Sequence, residues 1–376
     1  MLQVKANGRT KGFTLIELLV VVAVIAMLIS ILLPSLSRAR ESARAAVCGT
    51  GLRDIGIGMS TYMTEYGGWF PGVNTTGVAA RVAGVSSPEA LRKPGVPIQT
   101  YDWISPSIRH STDLGDNRAK RLQSILKYYS CPSQASLKID LPWGLQDALD
   151  RDDFGNPSDP DSIVANLAPV SYLMPIHFQT WGQAYSGTTI AISQSATGRP
   201  VRVLADCPPN YISAKHTGHY QSRIEKVGSP ARKIAGADGL RYLRDDDLID
   251  MDLAPHGTWS SHVFGCFASN GAWWGGSQAY GVKTASLNWD GTPVPEGSES
   301  QGRNLSLSYR HGAGAQGTLS NTAPGNPGEM NAMFFDGHVA RLNDRASREI
   351  EYWYPSGTTV NGGGGLLDYE DGYEVP

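Results

Sequence analysis

A nearly unbroken apolar run over residues 18–33 dominates the hydrophobic pattern of this chain. Together with the residues just before it, the segment 13–33 holds 21 residues and one ionisable side chain, Glu17. At 1.5 Å rise per residue, this segment forms a helix of roughly 31 Å, about the thickness of a bilayer's hydrocarbon core. The pattern therefore predicts one membrane-spanning helix over 13–33.

Helical spacing continues after the apolar run. Large side chains recur every three or four residues, at Leu52, Ile55, Met59, Tyr62 and Tyr66. This spacing predicts that residues 34–68 continue the same helix and that Gly67 and Gly68 end it. Pro34 removes one backbone donor, so we expect a bend or a locally unwound turn at that position.

The remaining chain, residues 69–354, has the short apolar runs and Gly/Pro/Asn/Asp clusters that are typical of strands and turns. One further helix is predicted, over 119–128. Strands are predicted at 170–174, 188–193, 201–205, 233–237 and 305–309.

Other parts of the chain lack a sustained period. Residues 71–118, 145–168 and 250–303 are predicted to be long loops or insertions. The segment 355–376 contains four consecutive glycines followed by acidic residues, and it is predicted to be a mobile tail.

The clearest hairpin surrounds the dipeptide Asp336-Gly337, which follows one apolar run and precedes another. Asp-Gly accepts the positive φ angles of a two-residue type I′ turn. Such a turn would place Phe335 opposite His338 and Met333 opposite Ala340.

Composition and charge restrict the possible functions. The formal charge is -3, and it becomes -6 if the three cations before residue 13 are removed, so nothing indicates nucleic-acid binding. Charged residues make up 18% of the chain, with 43 Gly and 23 Pro, a loop-rich balance typical of an extracytoplasmic β domain.

Four cysteines are present, none of them at metal-ligand spacing: Cys48, Cys131, Cys207 and Cys266. In an oxidising compartment they allow two disulfides with three possible connectivities, and the count alone does not exclude free thiols.

The residues around the start of the apolar run indicate processing. A secretory signal carries its small residue and cleavage site after the apolar core, whereas here Gly12 lies before it. Cleavage between Gly12 and Phe13 would remove the leader 1–12 and keep the helix as an anchor. A carboxylate in a spanning helix is costly, so Glu17 needs a partner. The new Phe13 amine is one candidate, and the alternative is that Glu17 extends to the lipid headgroups.

These residues resemble the type IV prepilins and the pseudopilins of type II secretion, whose signature is Gly followed by Phe-Thr-Leu-Ile-Glu and an apolar helix. The resemblance implies that a prepilin peptidase cuts after Gly12 on the cytoplasmic side and that the Phe13 amine is N-methylated. It assigns Glu17 to assembly with other pilin-like subunits. The resemblance also implies an inner-membrane, single-pass protein with a cytoplasmic N-terminus and an outer domain. Charge alone does not decide this orientation, because basic residues flank the span equally.

The expected fold is therefore α+β: a long N-terminal helix, partly transmembrane, packed on a C-terminal antiparallel β-sheet domain with long loops, as in pilins. Family members commonly carry one cysteine at the start of the extramembrane helix and one in a Cys-Pro dipeptide, which here implies a Cys48–Cys131 disulfide.

The hairpin carries a second resemblance, to prepilin-like proteins with a C-terminal domain marked by His, nine residues and Asp-Gly. Here the ends are His311 and Asp336-Gly337, but 24 residues separate them. One interpretation is a hydrogen-bonded or metal-binding pair. The other, which we expect, is a turn aspartate and a histidine that satisfies local backbone groups.

Other candidate sites have weak patterns. Asp150, Asp152, Gly155 and Asp161 fall in a calcium-loop register, but Phe154 occupies a ligand position, so calcium is the one cofactor considered and no metal site is predicted. His216 and His219 lack an identifiable third ligand.

The sequence contains no nucleophile elbow, zinc-protease helix motif, phosphate loop or dinucleotide fingerprint. We therefore expect a structural protein and not an enzyme. The alternative to a filament subunit is a membrane-anchored adhesion module. Its aromatic binding face would be formed by tryptophans such as Trp259, Trp273 and Trp274.

Overall fold

The computed structural model describes residues 14–69, 71, 102–134, 155–156, 158–163, 166, 171–179, 214–215, 217–239, 268–269, 307–312, 328–347, 349–360 and 372–376. The leader 1–12 and the strands predicted at 188–193 and 201–205 lie outside these residues.

A single helix, α1, runs over Leu15–Glu65, as the apolar pattern predicted. The helix passes through Pro34 without interruption, so the alternative of an unwound turn there is wrong. It ends at Tyr66, after which Gly67 and Gly68 adopt φ angles of 61° and 89°. These are left-handed conformations that favour glycine, which confirms the predicted helix end.

Two shorter helices pack near the end of α1: α2 (Ile104–Ile108) and α3 (Arg118–Tyr128). Helix α3 confirms the prediction at 119–128. Helix α2 lies inside the predicted loop 71–118 and is buried along its whole length, which corrects that prediction. With five residues, it is too short to show a helical period. Asp102 Oδ1 accepts the backbone N–H groups of Ile104 and Ser105 at its start.

The main sheet has five strands in the order β4-β1-β3-β5-β6. They are β1 (Tyr172–Pro175), β3 (Ile234–Asp238), β4 (Ala268–Ser269), β5 (Glu329–Phe334) and β6 (Val339–Asn343). All neighbouring pairs are antiparallel except β1 and β4. This sheet confirms the predicted α+β class and the strands predicted near 170–174 and 233–237.

The strand predicted at 305–309 is not found in its described part, 307–309. Leu307 and Tyr309 are nevertheless buried and belong to the hydrophobic core. A single backbone bond from Ser308 to Asp238 and an isolated bridge at His311 replace a continuous ladder.

A second sheet contains three antiparallel strands in the order β2-β7-β8. They are β2 (Ala214–Lys215), β7 (Thr359–Val360) and β8 (Tyr373–Glu374). Two of them belong to 355–376, which was predicted as a mobile tail, and Val360 and Val375 are buried. The described ends of this segment are therefore ordered, because they cover an apolar face of the main sheet. A short helix, α4 (Asp344–Ser347), follows β6.

The hairpin β5–β6 forms where the sequence predicted it, but with a different turn. Met333 pairs with Val339, and Ala332 pairs with Ala340, one residue out of the predicted register. Gly337 donates to Phe334 O and has a φ of 87°, and Phe334 N donates to His338 O. This is a three-residue loop, a type I turn followed by a left-handed glycine, so the type I′ prediction is wrong.

Alternation along β5 divides the core into two clusters. Met333 and Phe335 face α1 and join Leu52, Ile55, Met59 and Trp103. Met330, Ala332 and Phe334 face the other side and pack against Ile350, Trp353, Val360 and Val375. Successive side chains of a strand point to opposite faces, so one strand serves both clusters. The sheet is consequently covered by α1 on one face and by the C-terminal segments on the other.

Candidate functional site

The structure joins Cys48 to Cys131 in a disulfide whose Cα atoms are 5.3 Å apart. Cys48 lies on the buried face of α1, and Cys131 follows α3. This pairing is the one that the family resemblance implied. Cys207 and Cys266 lie outside the described residues.

Glu41 connects the same face of α1 to two distant segments. It precedes Cys48 by seven residues, which is two helical turns, so both side chains lie on one face. Glu41 Oε1 accepts hydrogen bonds from Ser133 Oγ and from His311 Nδ1, each over 2.9 Å. Since an ionised carboxylate only accepts, His311 carries its proton on Nδ1 in this contact.

The second ring nitrogen of His311 faces two further groups. His311 Nε2 is 3.6 Å from Cys131 Sγ and 3.2 Å from Asp238 Oδ2. Both His311 and Asp238 are fully buried. With the proton on Nδ1, a neutral imidazole has a lone pair on Nε2, and this lone pair faces those of the carboxylate. The geometry requires a proton or a cation between these two atoms, because otherwise they repel each other.

Asp238 is held in place by main-chain and side-chain groups. Its Oδ2 accepts from Asn331 N over 2.7 Å and from Asn331 Nδ2 over 3.0 Å. Asp238 Oδ1 is buried and has no hydrogen-bond partner among the described residues, and the guanidinium Nη2 of Arg310 is 3.8 Å from it. Burial lowers the pKa of Arg310, while the neighbouring Asp238 acts in the opposite direction.

His311 and Asp336 have different partners, so the two ends of the proposed motif do not form a described pair. Asp336 Oδ1 accepts from the N and Nδ1 groups of His338, over 3.1 and 2.6 Å, which is the turn role that we expected. The expected role of His311 is wrong, because its ring contacts side chains from distant elements and not local backbone groups. Sequence reasoning missed Glu41, although its spacing from Cys48 could have indicated it.

The apolar half of α1 is fully exposed. Its most hydrophobic stretch contains no buried residue, and Leu15 and Met27 are 77% and 68% exposed. Among the described residues, α1 is the one helix that is long and apolar enough to cross a membrane. An apolar helix surface that stays uncovered over several turns needs lipid or another apolar helix around it.

Glu17 lies at the start of this exposed stretch and closes a capping box with Thr14. Glu17 Oε2 accepts from Thr14 N and from Thr14 Oγ1, each over 2.8 Å, and Glu17 N donates to Thr14 Oγ1 over 3.3 Å. Thr14 N belongs to the peptide bond that follows Phe13. The carboxylate is therefore held one residue from the predicted cleavage point, although Gly12 and Phe13 themselves lie outside the described residues.

Residues 7–33 match the prokaryotic N-terminal methylation motif. The match covers residues 7–12 of the leader, the predicted cleavage point, Glu17 and the whole apolar run. No curated protein and no solved structure matches the chain. The methylation motif supports a prepilin-like precursor that is processed for assembly with pilin-type subunits.

The remaining sequence candidates are only partly described. Gly155 has a φ of 78°, and Asp161 lies in the turn that follows it, but Asp150 and Asp152 are outside the described residues. His219 is exposed, while His216 is outside as well. The tryptophans of the aromatic-face alternative, Trp259, Trp273 and Trp274, also lie outside, so that alternative stays a prediction.

Proposed function

We propose that this protein is a pilin-like structural subunit, and not an enzyme, of a type II secretion pseudopilus or a type IV pilus-like filament. A prepilin peptidase cuts the precursor between Gly12 and Phe13 and the new amine is N-methylated. The mature chain stays in the inner membrane through 13–33, with its N-terminus in the cytoplasm and its sheet domain outside. It then enters the filament through α1.

The observation that carries the proposal is the combination of the methylation motif with an uncovered apolar helix. A signal that is cleaved and discarded does not need a carboxylate at Glu17, five residues after Gly12. An unpaired charge also raises the free energy of a helix in lipid, so Glu17 needs a partner if the helix is kept. A filament of packed α1 helices provides both an apolar surrounding and a terminal amine for each Glu17. The amine of a neighbouring subunit's Phe13 neutralises this carboxylate during assembly.

The capping box adds a physical detail to this mechanism. Before assembly, Thr14 supplies two donors to Glu17, so the carboxylate has local partners while the subunit waits in the membrane. The contact also holds the carboxylate on the backbone N–H of Thr14, the residue that follows Phe13 in the chain. During assembly, the charged Phe13 amine of a neighbouring subunit replaces these neutral donors or binds beside them. A charged donor gives a stronger hydrogen bond to the carboxylate.

Processing is tested by replacing Gly12 with Trp. We expect an uncleaved precursor in the membrane fraction, because the bulky side chain fills the position that the peptidase must accommodate. The matched control is the same change at Gly8, which lies in the same leader and leaves cleavage intact. Mass spectrometry of the wild-type N-terminus should identify a chain that begins at N-methylated Phe13, and a chain that begins elsewhere contradicts the proposal.

Assembly is tested by Glu17→Gln, which removes the charge but can still accept hydrogen bonds from Thr14. We expect normal cleavage and loss of the subunit from the sheared filament fraction. Thr14→Val is the matched control, since it removes the Oγ1 contact and keeps the charge, and it should still assemble. If Glu17→Gln enters filaments at the wild-type level, the pairing with Phe13 is wrong.

A further inference from the structure

The buried cluster around the disulfide has the composition of a metal site as well as that of a crosslink. One sulfur ligand comes from α1, one from the segment after α3 and one imidazole from the segment before β5. The Sγ atoms of Cys48 and Cys131 and a ring nitrogen of His311 all lie within 4.8 Å of one another, and all three residues are fully buried. Thiolate and imidazole are the ligands that Zn²⁺ prefers.

We propose that, when the Cys48–Cys131 disulfide is reduced, Cys48, Cys131 and His311 bind one Zn²⁺ ion. An external dithiol supplies the two electrons and two protons that convert the disulfide to two thiols, and is itself oxidised to a disulfide. Zn²⁺ then displaces one proton from each thiol. Either crosslink, S–S or S–Zn–S, connects α1 to the segment after α3.

The distance between Cys131 Sγ and His311 Nε2 supports this site. Tetrahedral zinc with a Zn–S bond of about 2.3 Å and a Zn–N bond of about 2.05 Å separates the two ligand atoms by about 3.6 Å. The structure has 3.6 Å between them. The two sulfurs must move apart to about 3.8 Å, which follows from the same bond lengths and angle once the disulfide opens.

The surroundings of His311 prepare its Nε2 atom for a metal. Glu41 accepts from Nδ1 and so fixes the tautomer that directs the Nε2 lone pair towards Cys131. A carboxylate behind a metal-bound imidazole is the usual arrangement in zinc proteins, and it raises the basicity of the ligand. Ser133 donates to the same carboxylate oxygen and holds it in position.

Asp238 is a carboxylate that neighbours the imidazole, although it is not one of the three residues whose ligand atoms meet within 4.8 Å. Its Oδ2 atom is 3.2 Å from His311 Nε2, and a cation between the two relieves the repulsion of their lone pairs. Two thiolates and this carboxylate exceed the charge of Zn²⁺ by one, and the buried guanidinium of Arg310 near Asp238 Oδ1 balances the excess. The ionised Glu41 adds one more negative charge, and Arg44, whose Nη1 is 3.6 Å from Glu41 Oε2, balances it, so the cluster is close to neutral when zinc is bound to the thiolates.

The test uses the full chain in detergent micelles, reduced with a thiol reductant and then freed of it, and titrated with Zn²⁺ or Co²⁺. We expect the reduced protein to bind one equivalent, with a thiolate-to-cobalt charge-transfer band in the Co²⁺ form. The oxidised protein should show neither. Absence of stoichiometric binding by the reduced wild type overturns the proposal.

Variants identify the ligands. Cys48→Ser and His311→Ala should each weaken Zn²⁺ binding by more than tenfold, and Glu41→Gln by roughly tenfold, because Glu41 accepts from His311 Nδ1 and orients the ring. The matched controls are His338→Ala, an exposed histidine, and the pair Cys207→Ser with Cys266→Ser, which should bind like wild type. Equal binding by Cys48→Ser and wild type assigns the metal to another site and overturns the proposal.

A measurement on the wild type avoids the risk that a variant fails to fold. Zn²⁺ should slow the alkylation of Cys48 and Cys131 in the reduced protein, as read from the labelled peptides by mass spectrometry. Cys207 and Cys266 serve as internal references and should react at rates that Zn²⁺ does not change. Alkylation of all four cysteines at rates independent of Zn²⁺ contradicts the site.

Discussion

The two halves of α1 share one continuous helix but have opposite surroundings. The first half, before Pro34, is apolar on every side and has no described contact that buries it. The second half buries one stripe against the sheet, formed by Ala45, Cys48, Leu52, Ile55, Met59, Tyr62 and Met63, and exposes the opposite side. Backbone continuity and burial are therefore separate properties: the first half has the surface of a helix in an apolar solvent, and the second has one apolar stripe that packs on the sheet.

Truncating a leucine should lower the unfolding free energy strongly in the second half of α1 and hardly at all in the first. Leu52→Ala removes a fully buried side chain between α1 and the sheet, and should lower the unfolding free energy of the outer domain by about 2–5 kcal/mol. Leu28→Ala makes the same chemical change at an exposed position, and should alter it by less than about 0.5 kcal/mol. Denaturant unfolding in detergent micelles, followed by tryptophan fluorescence, measures both. Equal losses would break the distinction between the halves.

Two glycines lie on different faces of the second half of α1. A Cβ added at Gly58 would lie 1.9 Å from the backbone oxygen of Ser107 in α2, so Gly58→Ala should destabilise the domain by about 1–3 kcal/mol. A Cβ at Gly49 meets its nearest atom, Asn331 Oδ1, at 3.5 Å, an ordinary contact.

Gly49→Ala is the matched control, and it should stabilise the helix by up to about 1 kcal/mol through its better helix propensity. The two alanines therefore have opposite predicted signs in the same unfolding assay. If both alanine variants lose a similar amount of unfolding free energy, helix propensity and the close approach to Ser107 do not explain the effects of these substitutions.

The smallest expected effect is a pH dependence that belongs to the buried face. Burial raises the pKa of Tyr62 above its ordinary value of 10.0, so in the folded state this tyrosine keeps a proton that the unfolded chain loses. The folded state then binds more protons above pH 10, and stability falls as the pH rises through that range. One such tyrosine lowers stability by about 1.4 kcal/mol at pH 11.

Tyr62→Phe should reduce the steepness of this alkaline decline without removing it, because burial also raises the pKa of Tyr172 and Tyr220. Unfolding free energies between pH 9 and 11 measure the slope. Tyr128→Phe removes the same hydroxyl from an exposed side chain and is the matched control.

Sequence patterns predicted α1 well because its signals are local. The apolar run, the three-and-four spacing and the pair Gly67-Gly68 each depend on neighbouring residues, and all agree with the helix found. The hairpin was predicted in place but not in register. Asp336-Gly337 suits both a type I′ turn and a type I turn with a left-handed glycine, and nothing local to the dipeptide separates these two turns.

The cluster around His311 was beyond local reasoning. It joins side chains from α1, from the segment after α3, from β3 and from the segment before β5, and only the fold brings them together. Cys48 and Cys131 came from a family resemblance, not from spacing. Glu41 left a trace, because it lies on the buried face two turns before Cys48, but Asp238, the other carboxylate that contacts His311, left none. The part of the site that could be predicted is therefore the part that lies along one helix.

The crosslink between Cys48 and Cys131 has a mechanical consequence. A force applied to the membrane end of α1 and resisted by the outer sheet travels along the helix as far as Cys48 and then crosses a covalent bond to Cys131. The chain between the two cysteines, whose sequence separation is 83, carries none of that tension. The disulfide therefore lets the elements between the two cysteines keep their packing under tension. These elements are α2, α3 and the part of α1 after Cys48.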